Sequence, residues 1–339
     1  MATAHGEPQQ ADRPLVVVID HGVHGKVELE RSVLEPIGFE VVDTRGEDLS
    51  VEAGFDLALE RSASGLLVGP ILAVDRDRLE RLRDAGCHAV VRYGVGLDNV
   101  DVATAGEIGI AVGNVPEYGH EEISNHAIAL MLALHRRLFH FDRGVRAGGE
   151  GIPGPEVLPR LSTQTLGLVG LGRIGQRVAR KAAAFELRVI GVDPYLSEHD
   201  ARAIGVEVVD LETLLRKADC VSLHVPLTAE TRHMIDERAL ALMKPDAMLM
   251  NIGRGGLIDE AALVRALHDG TIAGAALDVT EVEPLPLEHP LHQAPNVILT
   301  PHVAWVSRAA LEELRRRTAE AVVRLIGAGA PGAREPAPR

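Results

Sequence analysis

The chain has 339 residues, 46% of them hydrophobic and 25% charged, with a formal charge of −14 at pH 7. That length suffices for two domains with a core each, and the composition is that of an ordinary globular protein. The acidic balance argues against a nucleic-acid partner, which needs a basic surface, and no apolar run is long enough to span a membrane.

Residues 1–13 are polar without an apolar stretch, so no secretory signal is expected, and 1–13 and 328–339 read as disordered tails. Strand patterns follow at Leu15–Asp20, Phe39–Asp43, Gly65–Val68, Ala89–Arg92 and Ala111–Val112, alternating with helical ones. One long helix is predicted over about 121–145, with Ile123, Ala127, Leu130, Met131, Leu134 and Leu138 on its apolar stripe. A Gly/Pro-rich stretch, Gly148–Pro159, separates it from a second series of strands near 165–170, 187–192, 206–209, 219–224, 247–252, 273–278 and 296–299. A final helix is predicted over about Ser307–Ile326.

The alternation predicts an α/β fold of two doubly wound parallel-sheet domains flanking a cleft. The lone last helix is expected to return to the first unit, so the expected domains are 1–117 with 304–339, and 118–303. Cys87 and Cys220 lie in or beside apolar segments without CxxC spacing, as buried thiols in a reducing cytoplasm would. No metal site is expected. His21 and His24 lack further ligands nearby, and His126, His135 and His140 miss the i, i+4 spacing of a helical site.

Gly170-Leu171-Gly172-Arg173-Ile174-Gly175 stands between an apolar strand and an amphipathic helix. Gly170 permits the tight turn, Gly172 lets backbone approach a pyrophosphate, and Gly175 lets the helix pack on the strand. The helix N-terminus, from Arg173 and Ile174, then offers its N–H groups to phosphate. Asp193 ends the next strand, 18 residues after Gly175, where a carboxylate can accept both ribose hydroxyls of an adenosine. It would repel a 2′-phosphate, and Pro194-Tyr195-Leu196 provides no arginine for one, which favours NAD over NADP. Asp193 could instead only cap the turn before Pro194, which would remove that preference.

Three clusters fall at strand C-termini of the second series, where a doubly wound sheet binds its ligand. They are Asn251–Gly256, Asp278–Pro284 and Thr300–Trp305. They carry Arg254, several acids and His302, the set needed to reduce a 2-oxo acid by hydride transfer. A guanidinium clamps a carboxylate with two parallel hydrogen bonds, and an imidazolium protonates a carbonyl oxygen. A nearby carboxylate orients the imidazole and favours its charged form. Taken singly, an arginine between glycines can merely satisfy turn carbonyls, and a histidine after proline can cap a strand end.

At these residues the sequence resembles the D-isomer-specific 2-hydroxyacid dehydrogenase family, over about 15–326. The matching pieces are 170–175, Cys220–Thr228, Asn251–Gly256, Asp278–Pro284, Thr300–His302, Arg92–Asp101 and Gly113–Pro116. The resemblance implies that Arg254 binds the substrate carboxylate, that His302 is the acid/base and that Glu283 is its partner. It assigns His224, Pro226 and Ile252 to the cofactor and Asp278 to its nicotinamide end. Val95 and Gly96 belong to the loop whose N–H groups help hold the substrate. Arg92 and Trp305 resemble the branch containing the C-terminal-binding proteins, where they line the pocket; Trp305 could also be core packing. Thr280 departs from the aromatic that many members carry. Glu283, in place of an amide, argues against the formate-oxidising branch, and the absence of a further C-terminal domain disfavours a regulated phosphoglycerate type.

The expectation is therefore an NAD-dependent cytoplasmic enzyme interconverting a small D-2-hydroxy acid and its 2-oxo acid. By the resemblance it is a homodimer, through the helix at 121–145. An NADH-sensing, corepressor-like scaffold on the same fold is the alternative.

Overall fold

Each predicted strand forms, and every pairing among the described residues is parallel. The computed structural model describes residues 13–20, 27–149 and 158–327; the expected tails, His21, His24 and most of the Gly/Pro-rich stretch lie outside them. The chain divides into two units, Met1–Tyr118 with Ser307–Arg339, and Gly119–Val306.

The first unit holds β1 (Leu15–Ile19), β2 (Glu40–Asp43), β3 (Gly65–Val68), β4 (Ala89–Arg92) and β5 (Ala111–Gly113), ordered β2-β1-β3-β4-β5. This is the flavodoxin-like order. All five residues of β1 are buried, as a strand with helices on both faces requires. The last helix, Arg308–Gly327, does pack in this unit. A Cβ at Gly65 would lie 2.7 Å from Val322 Cγ2, so only a glycine there lets the helix approach. Arg315 on that helix forms a double hydrogen bond with buried Glu30, which also accepts the Tyr93 hydroxyl at 2.8 Å.

The second unit holds β6 (Thr165–Val169), β7 (Arg188–Val192), β8 (Val206–Val208), β9 (Cys220–Leu223), β10 (Met248–Asn251), β11 (Gly274–Leu277) and β12 (Val297–Leu299), ordered β12-β11-β10-β9-β6-β7-β8. The strand order reverses between β6 and β9, so the ligand crevice of such a sheet falls at the C-terminal ends of those two strands. The pleat sorts the core: Leu166 and Leu168 of β6 pack with Ala127, Leu130, Met131 and Leu134. Val169 points to the other face, with Leu214, Ala218 and Leu263.

The predicted helix over 121–145 is two helices, His120–His135 and Leu138–Arg146, broken at Arg137 in the left-handed region (φ 47°, ψ 39°). The first buries its apolar stripe, whereas the second buries nothing: Leu138, placed on the core stripe by periodicity, is 53% exposed, beside exposed Phe139 and Val145. No helix among the described residues is long and apolar enough to cross a membrane.

Candidate active site

The turn after β6 shows what each fingerprint glycine faces. Gly170 has φ +96°, and a Cβ on it would lie 2.9 Å from the His224 backbone at the end of β9. A Cβ on Gly175 would overlap the Gly170 carbonyl oxygen, so the helix Arg173–Ala183 seats on the strand only without one. Gly172 differs: it has an extended backbone, and a Cβ there would meet nothing within 4 Å. It is also the N-cap of that helix and gives no side-chain cap, so the first N–H groups keep their capacity for a phosphate. The open space over Gly172 thus fits a dinucleotide pyrophosphate.

Asp193 reaches this turn: Oδ2 accepts the Leu171 N–H at 2.7 Å and Oδ1 the Tyr195 N–H at 2.8 Å. The turn-capping role is therefore present, and each oxygen retains a lone pair for a ribose hydroxyl. His224 bonds Ser222 Oγ through Nε2 at 2.9 Å, while its buried Nδ1 has no hydrogen-bond partner among the described residues. Burial pushes its pKa down to about 4, so the ring is neutral at physiological pH. Pro226 follows β9 on the same side, its carbonyl accepting the Thr231 hydroxyl at 2.7 Å. Ile252, directly after β10, packs into the core around Leu166 and Leu168.

Arg254, Glu283 and His302 all lie in the second unit. His302 Nδ1 lies 2.7 Å from Glu283 Oε2. An ionised carboxylate only accepts, so Nδ1 carries the proton and Nε2 is the nitrogen left for a reactant. Burial pushes the Glu283 carboxyl up, but the His302 bond and charge, the Thr280 N–H and the Arg254 charge outweigh it and hold its pKa below the usual range. Arg254, Glu283 and His302 thus share one electrostatic neighbourhood. Arg254 begins a turn after β10 and donates Nη1–H to the Gly253 carbonyl at 2.8 Å. Asn251 secures that turn, donating to the Arg254 carbonyl at 2.7 Å and accepting from Gly253 N–H at 3.0 Å. A Cβ on Gly255 would collide with the Thr280 backbone, so the arginine turn and the Glu283 loop are in direct contact. Thr280 donates its N–H to Glu283 Oε1 at 3.2 Å and its hydroxyl to the Val282 carbonyl.

Asp278 is buried, and its carboxylate is turned onto the histidine loop. It accepts the Thr300 hydroxyl (2.6 Å) and the N–H groups of Val303 (3.0 Å) and Ala304 (2.9 Å). These bonds tie Val303 and Ala304 to Asp278 within the second unit. Trp305 adds a further strap, its indole N–H donating to the His302 carbonyl at 3.1 Å. Arg92, Val95 and Gly96 lie in the first unit, at the end of β4 and in the loop after it. The Val95 carbonyl there accepts Asn114 Nδ2–H at 2.6 Å. Sequence reasoning gave no role to Asn251, Ser222 or Glu260. Glu260, whose pKa burial pushes up, accepts the Glu281 N–H at 2.6 Å. A polar residue ending a buried strand, as Asn251 does, was the available signal for the first of them.

The sequence model described as "D-isomer specific 2-hydroxyacid dehydrogenase, NAD binding domain" matches residues 128–304. A glyoxylate reductase of Korarchaeum cryptofilum is 44% identical over 264 residues, 76% of either chain. The chain belongs to the D-isomer-specific 2-hydroxyacid dehydrogenase family. As a member it is an NAD-dependent oxidoreductase acting on a CH–OH group. A D-3-phosphoglycerate dehydrogenase of Methanocaldococcus jannaschii is 40% identical over 280 residues, 80% of this chain; the match spans about half (52%) of that relative's length. Among solved structures, the D-lactate dehydrogenase of Aquifex aeolicus with NAD and lactic acid superposes with a TM-score of 0.81 at 27% identity. That match covers 93% of this chain and 96% of that one.

Proposed function

We propose that this family member interconverts a small D-2-hydroxy acid and its 2-oxo acid, with His302 as acid/base, Glu283 as its partner and Arg254 as the carboxylate clamp. The observation that carries this is the 2.7 Å bond from His302 Nδ1 to a Glu283 carboxylate whose pKa is held low. Bound NAD supplies or accepts the hydride. Gly170, Gly172, Gly175 and the N–H groups of Arg173 and Ile174 hold its pyrophosphate. Asp193 receives the adenosine ribose, and His224, Pro226 and Ile252 wall the site. In reduction, His302 Nε2–H protonates the carbonyl oxygen while Glu283 carries the negative charge that steadies the imidazolium. Arg254 binds the carboxylate through parallel hydrogen bonds and polarises the carbonyl. In oxidation the neutral Nε2 takes the hydroxyl proton back. Arg92, Val95, Gly96 and Trp305 bind the substrate. Asp278 serves the nicotinamide end indirectly, by holding the loop that carries His302.

The test is NADH and NADPH oxidation over a panel of 2-oxo acids, with glyoxylate first because the 44% identical relative is named a glyoxylate reductase. NADH-dependent turnover is expected, falling on the order of 10²–10⁴-fold in His302→Ala with NADH affinity near normal. Full activity in that variant would remove His302 from the chemistry. The relatives matched are reductases and dehydrogenases, which does not favour the scaffold alternative.

The homodimer rests on the helix Leu138–Arg146, which exposes Leu138, Phe139 and Val145; Phe139 also lines a cavity of ≈ 280 Å³ together with Leu158, Pro159 and Val297. Sedimentation is expected to give a dimer that Phe139→Glu dissociates; a monomeric wild type refutes it. Two free, buried cysteines support a cytoplasmic location.

A further inference from the structure

We infer that His126, on the helix His120–His135, is a positioning residue for His302, acting through Thr300 and the carboxylate of Asp278. The inference rests on His302 being the acid/base proposed above.

The direction of the hydrogen bonds carries the argument. Thr300 Oγ1 donates its single proton to Asp278 Oδ1 at 2.6 Å. Toward His126 Nε2, 3.1 Å away, it can therefore only accept, so Nε2 of His126 is the protonated nitrogen. His126 Nε2 also lies 3.6 Å from Asp278 Oδ1, whose side chain is 1% exposed. Donor and hydroxyl together hold that buried carboxylate in one rotamer.

What the carboxylate does next is specific to the reacting loop. It accepts the N–H groups of Val303 and Ala304, the two residues after His302. The Asp278 carbonyl accepts the His302 N–H itself at 2.7 Å. His302 needs this restraint, because its φ is +54°, in the left-handed region. A non-glycine residue is strained there and persists only where the surroundings impose it. Releasing Thr300 from His126 lets the Asp278 carboxylate turn, the two N–H straps lengthen and the imidazole drift from its bond to Glu283. A drift of about 1 Å can cost up to ~10²-fold in rate. A helical histidine that only filled space would have no such directed chain leading to the acid/base.

The experiment compares wild type with His126→Phe, which keeps an aromatic ring without a donor, and His126→Gln, whose amide can still donate. His126→Phe is expected to lower kcat about tenfold while NADH affinity and melting temperature hold. Amide exchange at 302–304, followed by mass spectrometry without substrate, is expected to accelerate. His126→Gln is expected to restore most of the rate and the protection. The inference is overturned by wild-type kcat and exchange in His126→Phe, by a Gln variant as slow as Phe, or by an equal loss of NADH binding. Should His126→Phe not fold, Thr300→Val and Thr300→Ser decide: a slow valine with a competent serine upholds the chain, and equal rates break it. If wild type reduces no 2-oxo acid, the functional reading fails, while the exchange result still reports on the strap.

Discussion

Gly172→Ala and Gly175→Ala are conservative changes three residues apart, and the structure predicts opposite consequences. At Gly172 the backbone (φ −68°, ψ −165°) is open to alanine, and a Cβ there meets nothing within 4 Å. Replacing glycine narrows the unfolded ensemble, worth about 0.4–1 kcal/mol, and the loss of a favourable N-cap offsets a similar amount. Stability should therefore stay within about 1 kcal/mol of wild type. The methyl group does occupy the space a pyrophosphate would approach, so NADH affinity should fall roughly 10–100-fold, or about 1.4–2.8 kcal/mol. At Gly175 the methyl overlaps the Gly170 carbonyl oxygen, and helix and strand must separate to admit it. Overpacking of this kind costs about 1–3 kcal/mol, and in a domain of this size each kcal/mol lowers Tm by roughly 2–4 °C. The assay pairs NADH titration by fluorescence with thermal melting of the apo-protein. Wild-type NADH affinity in Gly172→Ala would refute the placement of the pyrophosphate. A melting loss there equal to that of Gly175→Ala would refute the claim that the space over Gly172 is open.

Arg254→Ala is expected to raise the KM for the oxo acid by roughly 10–100-fold and to lower kcat, since charge-assisted bonds contribute about 1.5–3 kcal/mol each; unchanged kinetics would remove it from the site. His224 predicts an acid-stability loss. Its folded pKa of about 4 lies below the ordinary 6.5, so as pH falls the unfolded chain binds the proton first. The stability contribution is full above about pH 6.5 and is lost as pH falls toward 4, by about 2 kcal/mol at pH 5. Urea unfolding at pH 7.5 and 5 should show that slope in wild type and a shallower one in His224→Gln; identical slopes would refute it.

Much of the site was legible because it depends on local chemistry. The fingerprint announces itself through glycines at fixed spacing between strand and helix; backbone contacts require glycine at Gly170 and Gly175, while Gly172 faces open space. Arg254, Glu283 and His302 were legible as residues following strand C-termini, which a parallel sheet gathers at one edge. The break at Arg137 was not legible, because apolar spacing runs through it and neither glycine nor proline marks it. His126 was set aside for lacking metal-ligand spacing, and its bond to Thr300 spans 174 residues of sequence.

The sequence by itself determined the alternation of strands and helices, the dinucleotide turn and which side chains follow the strand C-termini of the second unit. Those follow from periodicity and from backbone conformations that only certain residues adopt. The tertiary structure alone decided which way the Asp278 carboxylate turns, what holds His302 at positive φ, and that Leu138 faces outward. Each of these depends on hydrogen bonds and burial between segments remote in the chain, and local pattern carries no information about which remote donor arrives.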